Sequence, residues 1–183
     1  MGLDMYLNKR TYVGANYEHR GVKATIDITV QRGDDPPRKL NIDPTKVSYI
    51  TERVGYWRKV NHIHAWFIKN VQAGVDECQE SEVSKDQLLE LLATCRKVLE
   101  IAKTEAGSIQ VSTSYAAGEV VKNYEDGQVI TNAEEVAAIL PTQDGFFFGS
   151  DDYNEYYLDG VRETIAILEA LDLRDGDYDV EYL

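Results

Sequence analysis

Residues Gly55–Val71, GYWRKVNHIHAWFIKNV, guide the interpretation of the whole chain, because they contain both tryptophans and two of the three histidines. Apolar residues recur here at the three-to-four-residue spacing of an α-helix, and at about 100° per residue they fall within one narrow stripe. The stretch therefore predicts a helix whose core face consists of Tyr56, Val60, Ile63, Phe67 and Val71.

The remaining sides of this predicted helix are more polar. Arg58, His62 and Lys69 lie opposite the apolar stripe, so we expect them to meet water. A half-buried flank beside the stripe carries Trp57, Asn61, His64 and Ile68. On such a flank the amide and the imidazole either hydrogen-bond to a neighbouring loop, as most buried polar groups do, or line a ligand pocket. The sequence leaves both interpretations open.

The motifs of metal sites and common enzymes are absent from the sequence. His62 and His64 are two residues apart, about 160° around a helix axis, so they cannot bind one ion. No Cys-x-x-Cys, His-Glu-x-x-His, phosphate-binding glycine loop or Gly-x-Ser-x-Gly occurs. We therefore predict no metal, no cofactor and no catalytic residue, and the sequence favours a binding protein over an enzyme.

Composition is typical of a cytoplasmic globular protein. The chain has 183 residues, 43% of them hydrophobic, enough for one domain with a substantial core. No apolar run approaches the roughly 20 residues that span a bilayer, and the N-terminus lacks a secretory leader. Two cysteines, Cys78 and Cys95, are too few for a disulfide scaffold. We expect no membrane partner; a homo-oligomer stays open.

The formal charge of −13, with a pI near 4.6, limits the choice of partner. An acidic protein repels the phosphate backbone, so we predict no direct nucleic-acid binding. Negative charge either serves solubility alone or attracts a basic protein. We predict a basic partner protein.

Alternating apolar and polar residues predict strands at residues 3–8, 24–31 and 177–182. Residues 108–132 also alternate and include Asp126-Gly127, a frequent hairpin turn, so they predict a hairpin insertion. In the tail strand, three acids are expected to face outward: Asp177, Asp179 and Glu181. The chain is therefore predicted to be one α+β domain over residues 1–183, with a mostly antiparallel sheet packed against about three helices.

Polar residues followed three positions later by Glu or Gln mark further helix starts. The pairs are Ser84 and Gln87, Asn132 and Glu135, and Asp152 and Glu155. The last pair opens a helix that is expected to run to about Leu171, with Gly160 allowing a close helix contact. Its start carries an acidic cluster, Asp151, Asp152, Glu155 and Asp159, which with the tail acids forms the predicted surface for a basic partner.

An aromatic loop, residues 141–153, precedes this helix. Its three consecutive phenylalanines, residues 146–148, are either buried on both sides or leave a ring exposed for a ligand. If the loop meets the central helix, an imidazole opposite an acid such as Asp144 suits acid–base chemistry, and aromatic and amide groups suit a nucleotide. The predicted ligand-binding residues are Trp57, Asn61, His64, Gln143, Phe147 and Tyr153.

Three segments together carry a family resemblance: MGLDMYL, VGYWRKVNHIHAWFIKNVQ and LPTQDGFFFGSDDYNEYYLDGV, in that order. They resemble a family of small acidic proteins of bacteriophages and prophages. The resemblance implies an accessory role in an infected host cell and supplies no catalytic residues. Such accessory proteins often look like inhibitors of host enzymes or of host defence.

Three hypotheses for function follow from the sequence. The first is a non-catalytic phage protein that binds and inhibits a basic host protein, either a defence protein or one that processes nucleic acid. The second is a protein that binds, sequesters or turns over a nucleotide-like molecule between the 55–71 helix and the 141–153 loop. The third is a virion or assembly component.

Overall fold

A four-stranded antiparallel sheet is the centre of the computed structural model, which describes residues 3–14, 25–77, 79–116, 119–143, 150–174 and 176–182. Its strands are β1 Asp4–Tyr12, β4 Tyr49–Arg58, β5 Ser81–Val83 and β8 Asp177–Tyr182. Their order in the sheet is β4-β1-β8-β5. The tail strand β8 pairs with both β1 and β5, so it is an interior strand, with Leu7 opposite Val180.

Helices cover one face of this sheet. They are α1 Asn61–Asn70, α2 Lys85–Ile101, the short α3 Ala133–Ala137 and α4 Glu155–Glu169. Inward side chains of the sheet, including Met5, Leu7 and Val180, form one apolar cluster with helix residues such as Phe67 and Leu91. Burial of these side chains drives the packing of the helices onto the sheet. The predicted α+β class is confirmed.

A long hairpin separates α2 from α3. It consists of β6 Thr104–Ala116 and β7 Glu119–Ile130, which form a two-stranded sheet of their own. The predicted turn at Asp126-Gly127 is wrong, because both residues lie within β7, where Gly127 pairs with Gly107. The predicted strand at 24–31 is reduced to β2 Thr29–Val30, which pairs with β3 Arg38–Lys39; residues 25–28 are not in a strand.

The central helix begins six residues later than the periodicity of Gly55–Val71 predicts. Residues up to Arg58 belong to β4, where Gly55 and Trp57 are buried and Tyr56 is 40% exposed. Pairing with β1 therefore overrides the helical spacing at these positions, and the predicted core position of Tyr56 is wrong. Lys59, with a φ of 57°, turns the chain from the strand into α1.

The predicted helix starts have mixed outcomes. Ser84 and Gln87 form the predicted capping box of α2. Asn132 precedes α3 but makes no side-chain capping bond to it; its amide instead donates to Ile101 O and its carbonyl accepts from Lys103 N. The N-cap of α4 is Asn154, whose side chain accepts from the first turn, so the helix starts later than Asp152 suggests.

Candidate functional site

Two of the predicted ligand-binding residues, Asn61 and His64, connect the first turn of α1 to nearby loops. Asn61 Nδ2 donates to Ser150 O at 2.8 Å. His64 Nε2 lies 3.0 Å from Asp76 Oδ2, and Gln143 Nε2 donates to the same oxygen at 3.4 Å. The structure therefore brings His64 and Gln143 to one carboxylate, which belongs to Asp76.

The contact between His64 and Asp76 attaches the loop that follows α1 to the helix. The side chain of His64 is 1% exposed and that of Asp76 is 27% exposed. Neither residue lines the cavities of about 440 and 540 Å³ described below. An imidazole held by a carboxylate is a stabilising contact whether or not it ever meets a substrate.

The other predicted ligand-binding residues lie apart from this contact. Trp57 is fully buried in the core, where its Nε1 donates to Thr164 Oγ1 at 2.9 Å. The ring of Tyr153 lies 4.9 Å from that of Tyr157, and its hydroxyl accepts from Thr142 N. Phe147 and Asp144 lie outside the described residues. The interpretation of Trp57 as a half-buried flank residue is therefore wrong.

The predicted solvent-facing position of His62 is wrong. This residue is 4% exposed, and its ring lies 4.2 Å from the ring of Tyr157 on α4. Burial lowers the pKa of His62 to about 3, so the imidazole is neutral. Its Nε2 has no hydrogen-bond partner within the described ranges. In the sequence, His62 lies four residues before Trp66, a spacing that places both side chains on one helix face and therefore indicates burial of His62; Trp66 is also buried.

His62 lines a cavity of about 540 Å³ between the start of α1 and the first half of α4. Arg58 and Lys59 contribute the basic part of its wall, and Asp152 and Glu163 contribute acidic groups. Tyr156, which is 52% exposed, adds an aromatic ring. A second cavity of about 440 Å³ lies beside it, between the hairpin and residues 151–154. The larger cavity combines both charge signs with a buried neutral imidazole.

Gly160 of α4 faces this histidine directly. A Cβ atom at that position would lie 2.8 Å from Val60 Cγ1 and 3.1 Å from His62 Nε2. The close approach of α4 to the start of α1 therefore requires glycine there, and the predicted role of Gly160 is confirmed. His62 Nε2 therefore lies next to Gly160, and both residues line the cavity.

The acids predicted to meet a partner divide into two groups on different parts of the fold. In the first group, Asp151, Asp152 and Asp159 are exposed near the start of α4. Asp159 forms an ion pair with Arg162 at 2.7 Å. Glu155 is half-buried and accepts from Gln128 N at 2.9 Å, so it attaches the hairpin to α4. Three of these four carboxylates are therefore accessible to a partner.

The second group lies on β8, on the sheet face opposite Tyr178 and Val180. Asp179 lies on the predicted face, but it is not exposed: its exposed fraction is 3%, and it accepts from Asn8 Nδ2 at 3.0 Å. Asp177 is exposed and Glu181 is half-buried. An interior strand has neighbours on both sides, so its outward face is less exposed than that of an edge strand. Of the three tail acids, Asp177 alone is therefore exposed to a partner in the way that the first group is.

Charge is distributed unevenly along the chain. Residues 1–75 carry 12 Lys and Arg against 7 Asp and Glu, whereas residues 76–183 carry 7 against 25. The base of the hairpin is attached to the segment just before α4, because Val129 pairs with Asn154 and Ile130 N donates to Tyr153 O. We define the α4 acidic surface as the exposed residues Glu125, Asp126, Asp151, Asp152, Asp159 and Glu163.

Other site classes receive no support from the described residues. Within them, no group of three His, Cys, Asp or Glu side chains is arranged to hold a metal ion. No helix in the described ranges is long and apolar enough to cross a membrane. The chain matches no protein-family model, and neither curated proteins nor solved structures give a match. Functional inference therefore depends on the geometry and charge described above.

Proposed function

We propose that this protein binds a basic partner protein through the α4 acidic surface and blocks that partner without catalysis. The observation that supports this proposal is the excess of 25 acidic over 7 basic residues in the last 108 positions, 76–183. Such a field speeds the encounter with a positively charged protein and disfavours acidic ones.

The contacts at the base of the hairpin support a preformed binding surface. Glu155 accepts from Gln128 N, and β7 pairs with Asn154 immediately before α4. These bonds fix the exposed acids of β7, Glu125 and Asp126, relative to those of α4. A surface held by backbone bonds loses little conformational freedom on binding, which favours affinity.

The resemblance to phage and prophage proteins favours a host protein as the partner. Host proteins that hold DNA or RNA expose basic grooves, and an acidic protein that covers such a groove competes with the nucleic acid. Competition of this kind requires no catalytic residue. It places the protein in the cytoplasm of the host cell.

A pull-down from host lysate with two charge variants tests the proposal. The test variant neutralises three acids of the α4 acidic surface: Glu125→Gln, Asp126→Asn and Asp151→Asn. The control variant makes the same charge change at exposed sites elsewhere: Asp34→Asn, Asp35→Asn and Glu77→Gln. We expect the test variant to recover much less partner than the control. Equal recovery by the two variants would contradict the proposed surface.

A further inference from the structure

The cavity beside His62 has the composition of a ligand site, independent of any protein partner. Its floor includes an imidazole that is 4% exposed and whose Nε2 has no protein partner among the described residues. Buried polar atoms are nearly always paired with protein or with ordered water, so this nitrogen offers a hydrogen-bonding position. The cavity of about 540 Å³ has the size of a small-molecule site.

One wall of this cavity suits an anion. The start of α1 has no side-chain cap and no acidic residue in its first turn. The described residues provide no hydrogen-bond acceptor for the backbone N–H groups of Asn61 and His62. Arg58 and Lys59 line the cavity immediately before these groups. Free N–H groups at a helix N-terminus, next to two cationic side chains, form a site for phosphate.

Other residues that line the cavity suit hydroxyl groups and an aromatic ring. Asp152, Asp159 and Glu163 contribute carboxylates, which accept hydrogen bonds from hydroxyl donors. Tyr156 is 52% exposed and offers a ring face on which a planar base can stack. These carboxylates would repel a simple anion. The ligand therefore needs hydrogen-bond donors at the end away from its phosphate.

We propose that the cavity binds a phosphate monoester that carries hydroxyl groups, such as a nucleoside monophosphate or a sugar phosphate. The phosphate meets Arg58, Lys59 and the first N–H groups of α1. The hydroxyl groups meet Asp152 and Glu163, and a polar group of the ligand pairs with His62. This binding uses Asp152 and Glu163, which also belong to the α4 acidic surface, but it does not require the proposed partner.

Calorimetry with the full-length protein tests this proposal with four probes: adenosine monophosphate, ribose 5-phosphate, adenosine and inorganic phosphate. We expect one or both phosphate esters to bind at least about tenfold more tightly than adenosine or inorganic phosphate. A stronger signal from the nucleotide than from the sugar phosphate would assign the stacking role to Tyr156. Absence of binding by both esters at millimolar concentration would overturn the proposal, and so would equal binding of inorganic phosphate.

Variants identify the phosphate end of the site. Lys59→Gly removes the charge without strain, because Lys59 has a φ of 57°, which glycine adopts readily. With Arg58→Gln, it should weaken binding of the ester by about tenfold or more. Lys69→Gln, at an exposed position in the last turn of α1, is the matched control and should leave binding unchanged. An equal effect of the control, or no effect of the double variant, would exclude this wall.

Histidine-selective NMR places the bound ligand. We expect the imidazole resonances of His62, assigned with His62→Leu, to shift when the ester is added. Titration of Glu163→Gln should then show weaker binding of the ester, because one of the two acceptor oxygens is replaced by an NH2 donor and the charge that strengthens the hydrogen bond is lost. A ligand that binds without moving the His62 resonances lies elsewhere and would overturn the assignment.

Discussion

Acidification should destabilise the protein through His62, and the structure sets the size of the effect. Burial lowers the pKa of His62 to about 3 in the folded state, against 6.5 for an exposed histidine. Between these values the unfolded chain binds a proton that the folded chain does not. His62 therefore does not reduce the free energy of unfolding above pH 6.5. Below pH 6.5 the free energy of unfolding decreases as the pH falls toward 3.

The magnitude follows from the distance below pH 6.5. Each unit contributes about 1.4 kcal/mol to the free energy of unfolding, so at pH 5.0 the loss from His62 alone is about 2 kcal/mol. For a domain of this size that loss corresponds to roughly 4–8 °C in the unfolding temperature. This is a large share of the 5–15 kcal/mol by which most domains are stable, so the effect is measurable.

Urea unfolding followed by tryptophan fluorescence, at pH 7.5 and pH 5.0, measures this loss. His62→Leu keeps an apolar side chain beside Tyr157 and cannot be protonated. We expect the wild-type protein to lose about 2 kcal/mol more than the variant between the two pH values. Subtracting the variant removes the pH dependence that the two proteins share. Equal losses in both proteins would refute the assignment of a buried, neutral His62.

Three further predictions concern single side chains. Ser84→Ala removes the capping box that Ser84 and Gln87 form at α2, and it should lower the free energy of unfolding by about 1 kcal/mol in chemical denaturation. Cys95 is fully buried and burial raises the pKa of its thiol to about 12, so in a Cys78→Ser background it should react with a thiol reagent only after unfolding; rapid reaction of the folded protein would contradict its burial. Gly160→Ala should lower stability by about 1–3 kcal/mol, because the new Cβ would lie 2.8 Å from Val60 Cγ1; an unchanged melting temperature would show that the start of α1 moves freely.

Local sequence patterns predict those elements whose environment is also local. The capping box at Ser84 lies within α2 itself, and the alternation in the tail correctly predicts β8. The stretch from Gly55 to Arg58 has helical spacing, yet it forms β4, because pairing with β1 is a contact across some 50 residues that periodicity does not report. Gly127 illustrates the same limit: it suits a turn, but in β7 a Cβ at this position would lie 2.8 Å from Ile109 Cγ1 on the paired strand.

The candidate site was harder to predict than the fold, since its residues gain their roles from burial. The periodicity places His62 on the side opposite the apolar stripe, but α4 covers that side, and the ring of His62 lies 4.2 Å from that of Tyr157. The sequence identifies Asn61 and His64 as polar groups that need hydrogen-bond partners. Their partners, Ser150 and Asp76, cannot be identified from spacing. The inner position of β8, which buries Asp179, is likewise a property of strand order.

The dependence of the association rate on salt tests the central claim most directly. The partner recovered from host lysate would be purified, and its association with the protein measured from low to high ionic strength. We expect the rate constant to fall roughly tenfold or more for the wild-type protein and clearly less for the variant that lacks Glu125, Asp126 and Asp151 carboxylates. An association rate that is independent of salt, or equally dependent in both proteins, would contradict recognition through the α4 acidic surface.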